Sequence, residues 1–201
     1  MPIKALFFDI GGVVCYDIEK AMMKEIAEKY NLPYEEVMNI RSTWWQLYAT
    51  NKISEKEYWK GLLRDLKIEA DPHNFLALPY KKYILPMEGM LPLLSILKKK
   101  YPLYVISDHS REWWAYAEKK YALKEYFQDT VISYQYGILK SAGPKLFKIA
   151  LQKASVQAEE ALFIDNAEEN LHVAKKLGMH TLLFTTRETF QEDVKRLHML
   201  K

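Results

Sequence analysis

An aspartate at the end of the first apolar segment is the side chain best placed to do chemistry. Residues 4–8 (Lys-Ala-Leu-Phe-Phe) stop abruptly at Asp9, and Gly11 and Gly12 follow. A glycine pair allows a tight turn and lets the backbone approach a ligand closely, so the Asp9 carboxylate would face that ligand. An aspartate that only caps a loop has the same local sequence, and Asp9 alone therefore leaves both interpretations open.

Three later side chains also lie at the end of a short apolar run or directly after one. Ser107 ends the run Val-Ile-Ser, Asp165 ends the run Leu-Phe-Ile-Asp, and Lys140 follows Gly-Ile-Leu. Taken singly, Ser107 is more typical of an N-cap for a helix that begins near Ser110. Lys140 on its own is typical of a surface lysine. Their interpretation depends on the elements that would position them.

Short apolar runs recur along the chain and predict five buried strands. The predicted strands cover residues 4–8, 103–107, 130–133, 161–165 and 180–184. Helical patterns at 110–122, 144–154 and 168–177 alternate with the later strands. Strand alternating with helix predicts a doubly wound parallel α/β sheet. In such sheets ligands bind beyond the carboxyl ends of the strands, which is where Asp9, Ser107 and Asp165 all fall.

Residues 16–86 interrupt this alternation. They indicate several helices with no strand between them, including a capping box formed by Ser54 and Glu57. The sequence therefore predicts a small all-helical cap domain inserted after the first strand. The α/β core domain would then consist of residues 1–15 and 87–201.

Four motifs in this order resemble those of the haloacid dehalogenase-like (HAD) hydrolase superfamily. They are Phe-Phe-Asp9-Ile-Gly-Gly-Val-Val, Val-Ile-Ser107-Asp108, Gly-Ile-Leu-Lys140 and Leu-Phe-Ile-Asp165-Asn-Ala-Glu-Glu-Asn-Leu. The resemblance covers essentially the whole chain. Within the superfamily, the first and last motifs are similar to the sugar-phosphate-phosphatase branch with a helical cap.

The resemblance implies a phosphatase that uses Mg²⁺ and an aspartyl-phosphate intermediate. Asp9 would be the nucleophile, and Ser107 and Lys140 would complete the catalytic set. Together with Asp108, these last two would also bind the substrate, a small phosphorylated metabolite. The metal would be held by Asp9, the Gly11 carbonyl, Asp165 and Asn166. A carboxylate and a phosphate repel each other by about 4 kcal/mol per charge pair at ~4 Å. Positive charge at the metal site and at Lys140 would offset this repulsion.

The chain departs from the family pattern at three places. Gly11 stands where the family usually has a second Asp that acts as general acid. Asn166 replaces the second member of the acidic pair, which removes one negative charge from the metal shell and implies weaker Mg²⁺ affinity. The loop of residues 140–144 looks one residue longer than usual, so the reach of Lys140 is open.

The missing acid has a consequence for the substrate. General acid catalysis contributes about 10² to 10⁴ in rate, which is roughly 3 to 5 kcal/mol of barrier. A good leaving group offsets that loss, so we expect sugar 1-phosphates or acyl phosphates to be favoured over simple alkyl esters. His109, which follows Ser107 and Asp108, is the alternative source of the proton.

Composition limits the remaining possibilities. The 201 residues carry a formal net charge of +3, with basic residues spread along the chain, which argues against nucleic acid as a partner. The single cysteine, Cys15, favours a reducing, cytoplasmic location. No apolar stretch approaches the ~18 residues of a membrane span, so no membrane partner is expected.

Two rival functions stay open from the sequence. Gly11, Asn166 and the altered Lys140 loop are what a binding or regulatory protein on a catalytically impaired HAD scaffold would show. A metal-independent haloacid dehalogenase would use the same Asp9 nucleophile but needs a halide pocket that the sequence does not identify. The tryptophan pairs at 44–45 and 113–114 are expected to pack in the cap and between cap and core.

Overall fold

Five parallel strands form the centre of the molecule. A computed structural model describes residues 2–76 and 82–197; residues 77–81 of the predicted cap lie outside the described ranges. The strands run in the spatial order β3-β2-β1-β4-β5, and every neighbouring pair is parallel. Their bounds are β1 Ala5–Phe8, β2 Leu103–Ser107, β3 Asp129–Ile132, β4 Ala161–Asp165 and β5 His180–Leu183. The predicted strands agree with these to within one residue at each end.

Helices cover both faces of the sheet. Strand residues alternate between the faces, so that Leu6 and Phe8 join one apolar cluster while Ala5 and Phe7 join the other. Burial on both faces explains why the strands have continuous apolar runs rather than alternating polar residues. The predicted doubly wound α/β fold is confirmed. The helices are α1 Ile18–Lys29, α2 Tyr34–Ala49, α3 Glu55–Asp65, α4 Met90–Leu97, α5 Arg111–Tyr121, α6 Ser133–Tyr136, α7 Lys145–Ala154, α8 Glu168–Lys176 and α9 Arg187–Arg196.

The first three helices form a helical insertion between β1 and α4. The predicted capping box is present at the start of α3, where the Ser54 side chain accepts from the Glu57 backbone and the Glu57 carboxylate accepts from the Ser54 backbone. Trp45 of α2 packs against Trp113 of α5 with ring centroids 5.5 Å apart. Trp45 and Trp113 therefore join the insertion to the sheet side of the molecule, whereas Trp44 packs within the insertion, against Gly61 and Asp65. The exact domain boundaries stay a prediction.

Ser133 corrects the sequence-based strand at 130–133. The register pairs Ser107 with Ile132, and Ser107 is the last residue of β2, so the backbone beyond Ile132 has no strand neighbour. Ser133 instead begins α6, where its buried hydroxyl donates to the Ala49 carbonyl at 2.7 Å. The same hydroxyl accepts from the His109 backbone N–H at 3.0 Å.

The length and apolar character of a helix determine whether it could cross a membrane. Within the described ranges, none of the helices combines the length and the apolar character needed to cross a bilayer.

Candidate active site

The carboxyl ends of three central strands meet at one edge of the sheet. Asp9 directly follows β1, Ser107 ends β2 and Asp165 ends β4. A cleft of about 490 Å³ opens above this edge, and Asp9 and Lys140 are among the residues that line it. The parallel topology alone therefore brings together residues that are far apart in sequence.

Lys140 lies between two carboxylates at the base of the cleft. Its side chain is almost fully buried, and Nζ is 2.9 Å from Asp9 Oδ1 and 2.7 Å from Asp165 Oδ2. Burial alone would lower the Lys140 pKa, but Asp9, Asp165 and Asp108 outweigh it and raise the pKa above its ordinary value. The raised pKa favours the charged ammonium at neutral pH, and the burial of the side chain excludes the interpretation of Lys140 as a surface lysine.

Asp108 fixes the turn that carries Lys140. Both of its carboxylate oxygens accept from the Lys140 backbone N–H, at 3.0 and 3.2 Å. Lys140 begins a short 3-10 turn that ends at Ala142, so the longer loop still delivers its side chain to Asp9. The carboxylate of Asp108 also lines the cleft, and its predicted contact with substrate stays a prediction.

Asp165 is held by hydrogen bonds on both oxygens. Oδ1 accepts from the Ala167 backbone N–H at 2.8 Å, and Oδ2 accepts from Asn170 Nδ2 at 3.0 Å as well as from Lys140 Nζ. Asn170 was not among the site residues predicted from the sequence. It lies in the first turn of α8 and is buried, which the sequence alone does not indicate.

Ser107 is a buried hydroxyl at the same edge. It does not cap α5, because the N-cap is Ser110, whose side chain accepts from the Trp113 backbone N–H. The Ser107 hydroxyl lies near enough to Asp9 to lower the pKa of that carboxyl. No atom of the described residues, however, meets ordinary hydrogen-bond geometry with Ser107 Oγ. The hydroxyl is therefore available to donate to a ligand oxygen.

The two glycines after Asp9 have different reasons to be glycine. Gly12 has φ +79°, and a Cβ there would lie 2.2 Å from Asn166 Nδ2, so any side chain would both strain the backbone and displace Asn166. A Cβ at Gly11 would meet nothing within 4 Å. Space therefore does not explain why the family's second Asp is absent at Gly11.

Burial controls the protonation of the site. Desolvation raises the pKa of Asp9 to about 7, an effect that Lys140 opposes and Asp165 reinforces. Desolvation also lowers the pKa of His109 to about 4, so this imidazole is neutral at pH 7. A neutral imidazole is a very weak acid, and His109 is thus a poor replacement for the missing general acid.

The wall of the cleft opposite Asp9 comes from the helical insertion. The start of α1 contributes Glu19 and Lys20, and α2 contributes Arg41, Ser42 and Gln46. None of these residues was identified from the sequence. Their position depends on how α1 and α2 pack over the sheet, and no sequence motif predicts that packing.

Oxygen atoms in the cleft fit a hard divalent cation. Asp9, Gly11 and Asn166 line the same cleft and offer carboxylate, carbonyl and amide oxygens, which are ligands that Mg²⁺ prefers. Asp165 is fully buried, and its oxygens already accept hydrogen bonds from Ala167, Asn170 and Lys140. Within the described ranges, no three His, Cys, Asp or Glu side chains cluster to hold a metal. The carboxylate, carbonyl and amide oxygens that line the cleft therefore fit Mg²⁺, although Asp9 Oδ1 already contacts Lys140 Nζ.

The chain belongs to the haloacid dehalogenase-like hydrolases, because that family model matches residues 3–178. D-ribitol-5-phosphate phosphatase from Bacteroides thetaiotaomicron is 26% identical over 192 residues, covering 89% of this chain and 90% of its own. Glyceraldehyde 3-phosphate phosphatase from Pyrococcus furiosus is 27% identical over 208 residues, covering 90% of this chain and 80% of its own.

Solved structures show the same fold. A HAD family enzyme from Bacteroides thetaiotaomicron, solved as a magnesium complex, matches with a TM-score of 0.74 at 23% identity. The match covers 97% of this chain and 100% of that one. The superfamily resemblance stated from the motifs is confirmed, and so is the assignment as a hydrolase.

Proposed function

We propose that this chain is a Mg²⁺-dependent phosphatase that hydrolyses a small phosphate monoester through an aspartyl-phosphate on Asp9. The observation that carries the proposal is the buried ammonium of Lys140, 2.9 Å from Asp9 Oδ1. A carboxylate that approaches a phosphate dianion is repelled, and a fixed cation beside the nucleophile offsets this repulsion without any rearrangement during the reaction.

The residues divide the reaction between them. An Asp9 oxygen attacks phosphorus while the bond from phosphorus to the leaving oxygen breaks, and the leaving oxygen takes a proton from water because Gly11 has none to give. The Ser107 hydroxyl donates to a phosphoryl oxygen, and Lys140 offsets the charge that develops there. Water then cleaves the aspartyl-phosphate, which releases inorganic phosphate and restores Asp9.

Asp9, the Gly11 carbonyl and Asn166 would hold the Mg²⁺, with Asp165 as the fourth predicted ligand. When bound, the cation supplies positive charge beside the phosphoryl group and lowers the pKa of Asp9, which favours its nucleophilic form at neutral pH. The magnesium complex of the structurally similar HAD enzyme supports the choice of Mg²⁺ as the cation.

The relatives support the substrate class. Both named relatives are phosphatases of small phosphorylated polyols or aldehydes, and the cleft volume suits a molecule of that size. We propose that the insertion, predicted as residues 16–86, acts as a cap that excludes water during turnover. A reducing, cytoplasmic location fits the single, buried Cys15.

The test is turnover of a panel of phosphate esters by the purified chain, with and without Mg²⁺. Asp9→Asn keeps the shape of the nucleophile and removes its charge, so we expect metal-dependent turnover to fall by about 10³-fold or more. Asp129→Asn is the matched control, because Asp129 also pairs with a lysine, Lys153, but lies outside the cleft. Its activity should stay within about twofold of the parent, as a pair this exposed contributes little.

The rival functions give different results in the same assay. Absence of turnover from a folded protein that still binds phosphate esters would contradict the phosphatase and favour a binding protein on this scaffold. Chloride release from a haloacid without metal would favour the dehalogenase. Equal turnover by the Asp9→Asn variant would exclude Asp9 as the nucleophile.

A further inference from the structure

Carboxyl groups outnumber cations among the side chains that line the cleft. Within the described part of the chain, the lining contains five carboxyl side chains and only three cations, Lys20, Arg41 and Lys140. Lys140 is held by Asp9 and Asp165, and Lys20 Nζ lies 3.2 Å from Asp17 Oδ2. Arg41 forms an ion pair with Glu19. Lys140 and Arg41 are therefore paired with largely buried carboxylates, whereas the pair formed by Lys20, which is 64% exposed, is a surface pair that contributes little.

The pair of Glu19 and Arg41 has spare hydrogen-bonding capacity. Both side chains are largely buried, at 17% and 12% exposure. Glu19 pairs through Oε2, and its other oxygen, Oε1, has no hydrogen-bond partner among the described residues. Arg41 Nε, a donor, likewise lacks a partner there. Because both atoms are buried and unsatisfied where they lie, the side chains would have to rotate toward the cleft to reach a ligand, and each would then gain a hydrogen bond.

Among simple ligand groups, a hydroxyl suits this pair best. A hydroxyl donates one hydrogen bond and accepts others, so it satisfies an acceptor on Glu19 and a donor on Arg41 together. A carboxylate or phosphate could accept from Arg41 but would be repelled by Glu19. An ammonium group could donate to Glu19 but has nothing to accept from Arg41.

The neighbouring side chains of α2 have the same character. Ser42 and Gln46 lie one turn apart on the helix and line the cleft beside Arg41. Both are uncharged, and each can donate and accept. This part of the wall therefore offers hydrogen bonds and no net charge.

We propose that Glu19 and Arg41, with Ser42 and Gln46, form a specificity wall that recognises an uncharged, hydroxyl-bearing distal end of the substrate and rejects a second anionic group there. This inference rests on the proposed phosphatase function and narrows its substrate class. It favours sugar or polyol monophosphates over bisphosphates and over phosphates that carry a carboxylate.

The test uses two substrates that differ only at the distal end. Glucose 1-phosphate has a hydroxymethyl group at C6, and glucuronic acid 1-phosphate has a carboxylate there. Their kcat/KM ratio cancels effects on the shared phosphoryl chemistry. For the intact chain with Mg²⁺ we expect a ratio of about tenfold or more in favour of glucose 1-phosphate.

Two variants should move this ratio in opposite directions. Glu19→Gln removes the repelling charge, so the ratio should fall by about fivefold or more. Arg41→Gln leaves the Glu19 charge uncompensated, so the ratio should rise by a similar factor, with thermal unfolding used to verify that the variant folds. Glu36→Gln, an exposed position on the same helix outside the cleft, is the control and should leave the ratio unchanged. A ratio that neither cleft variant moves, or that both move the same way, would overturn the proposal.

A binding measurement separates this inference from the phosphatase itself. In an Asp9→Asn background, calorimetry gives Kd values for the same two sugar phosphates without turnover. The Kd ratio should respond to Glu19→Gln as the kinetic ratio does. If no phosphate ester is turned over but the Kd ratio responds, the phosphatase fails and the specificity wall stands. If turnover depends on Asp9 but the ratios do not respond, the specificity wall fails alone.

Discussion

The two walls of the cleft are built by different means. The wall at the sheet edge takes its side chains from strand ends and fixes them through short contacts, such as the 2.7 Å separation of Lys140 Nζ and Asp165 Oδ2. The wall from the helical insertion takes its side chains from α1 and α2, and leaves Glu19 Oε1 and Arg41 Nε without partners in the described ranges.

The roles proposed for the two walls differ: the sheet edge would carry out the reaction, and the insertion would select the substrate. In the proposed function, the preorganised charge at the sheet edge would serve a reaction step that every substrate shares, because reorganisation during the reaction would cost rate. The incompletely satisfied wall of the insertion would gain bonds only from a suitable ligand, and this gain would distinguish one substrate from another. Changes at the sheet edge should therefore affect all substrates, whereas changes in the insertion should alter their ranking.

The largest expected effect is at Lys140. Lys140→Met leaves Asp9 and Asp165 buried without their shared cation, so we expect phosphatase activity to fall by about 10²-fold or more on every substrate. The free energy of unfolding should fall by roughly 3 kcal/mol, because one partner of a buried ion pair has been removed. Initial rates and denaturant unfolding measure the two effects.

Lys153→Met is the matched control for this change. Lys153 pairs with Asp129 at 2.9 Å, but its side chain is 34% exposed. Surface pairs contribute about 1 kcal/mol or less, so activity and stability should change little. Equal losses in the two variants would contradict a special role for Lys140.

A smaller effect is expected at Gly11, where a side chain can be added. Gly11→Asp should fit, because a Cβ there meets nothing within 4 Å, and it would place a proton donor beside the leaving group. We expect kcat/KM for alkyl phosphates to rise by about tenfold or more, with little change for acyl phosphates, whose leaving groups need no acid. Gly11→Asn, which has the same size and no acidic proton, is the control. Equal changes for both ester classes would show that the missing acid does not limit the rate.

The smallest expected effect is on the contact between the insertion and α5. Trp113 Nε1 donates to Glu55 Oε1 at 3.3 Å, and burial raises the pKa of Glu55 from 4.5 to about 7. The folded protein thus binds an extra proton between these values, and the stability from this group is full below pH 4.5 and lost as pH rises through about 7. Glu55→Gln should melt with the parent at pH 5 and roughly 1 to 3 °C above it at pH 8.

Glu57 provides a control of opposite sign. Hydrogen bonds from the Ser54 backbone lower the pKa of the Glu57 carboxyl, so its contribution is present at neutral pH and lost as pH falls through the lowered pKa. Glu57→Gln should therefore lose stability relative to the parent at pH 8 and less at acidic pH. A Glu55→Gln curve that shows the same sign as Glu57→Gln would exclude a burial effect at Glu55.

The sheet edge could be predicted from the sequence and the insertion wall could not. Asp9, Ser107 and Asp165 follow apolar runs, and parallel topology brings such positions together whatever the details of packing. Lys140 needed the family resemblance, since nothing local distinguishes it from a surface lysine. Glu19 and Arg41 belong to amphipathic helices, where a cleft-facing charge and a solvent-facing charge have the same local pattern. Asn170 was not predicted either, because its hydrogen-bond partner, Asp165, lies at the end of β4 and not in the helix that carries Asn170.

The Ser133 hydroxyl links the helical insertion to the loop that follows β2. It joins the end of α2, through the Ala49 carbonyl, to the backbone of the loop after β2, through the His109 N–H. This buried bridge lies at one end of α2. If the insertion moves as the proposed cap would, the bridge must either break or serve as the point about which α2 turns. Residues of α2 farther from Ala49, such as Arg41, would then move through a larger distance than Ala49.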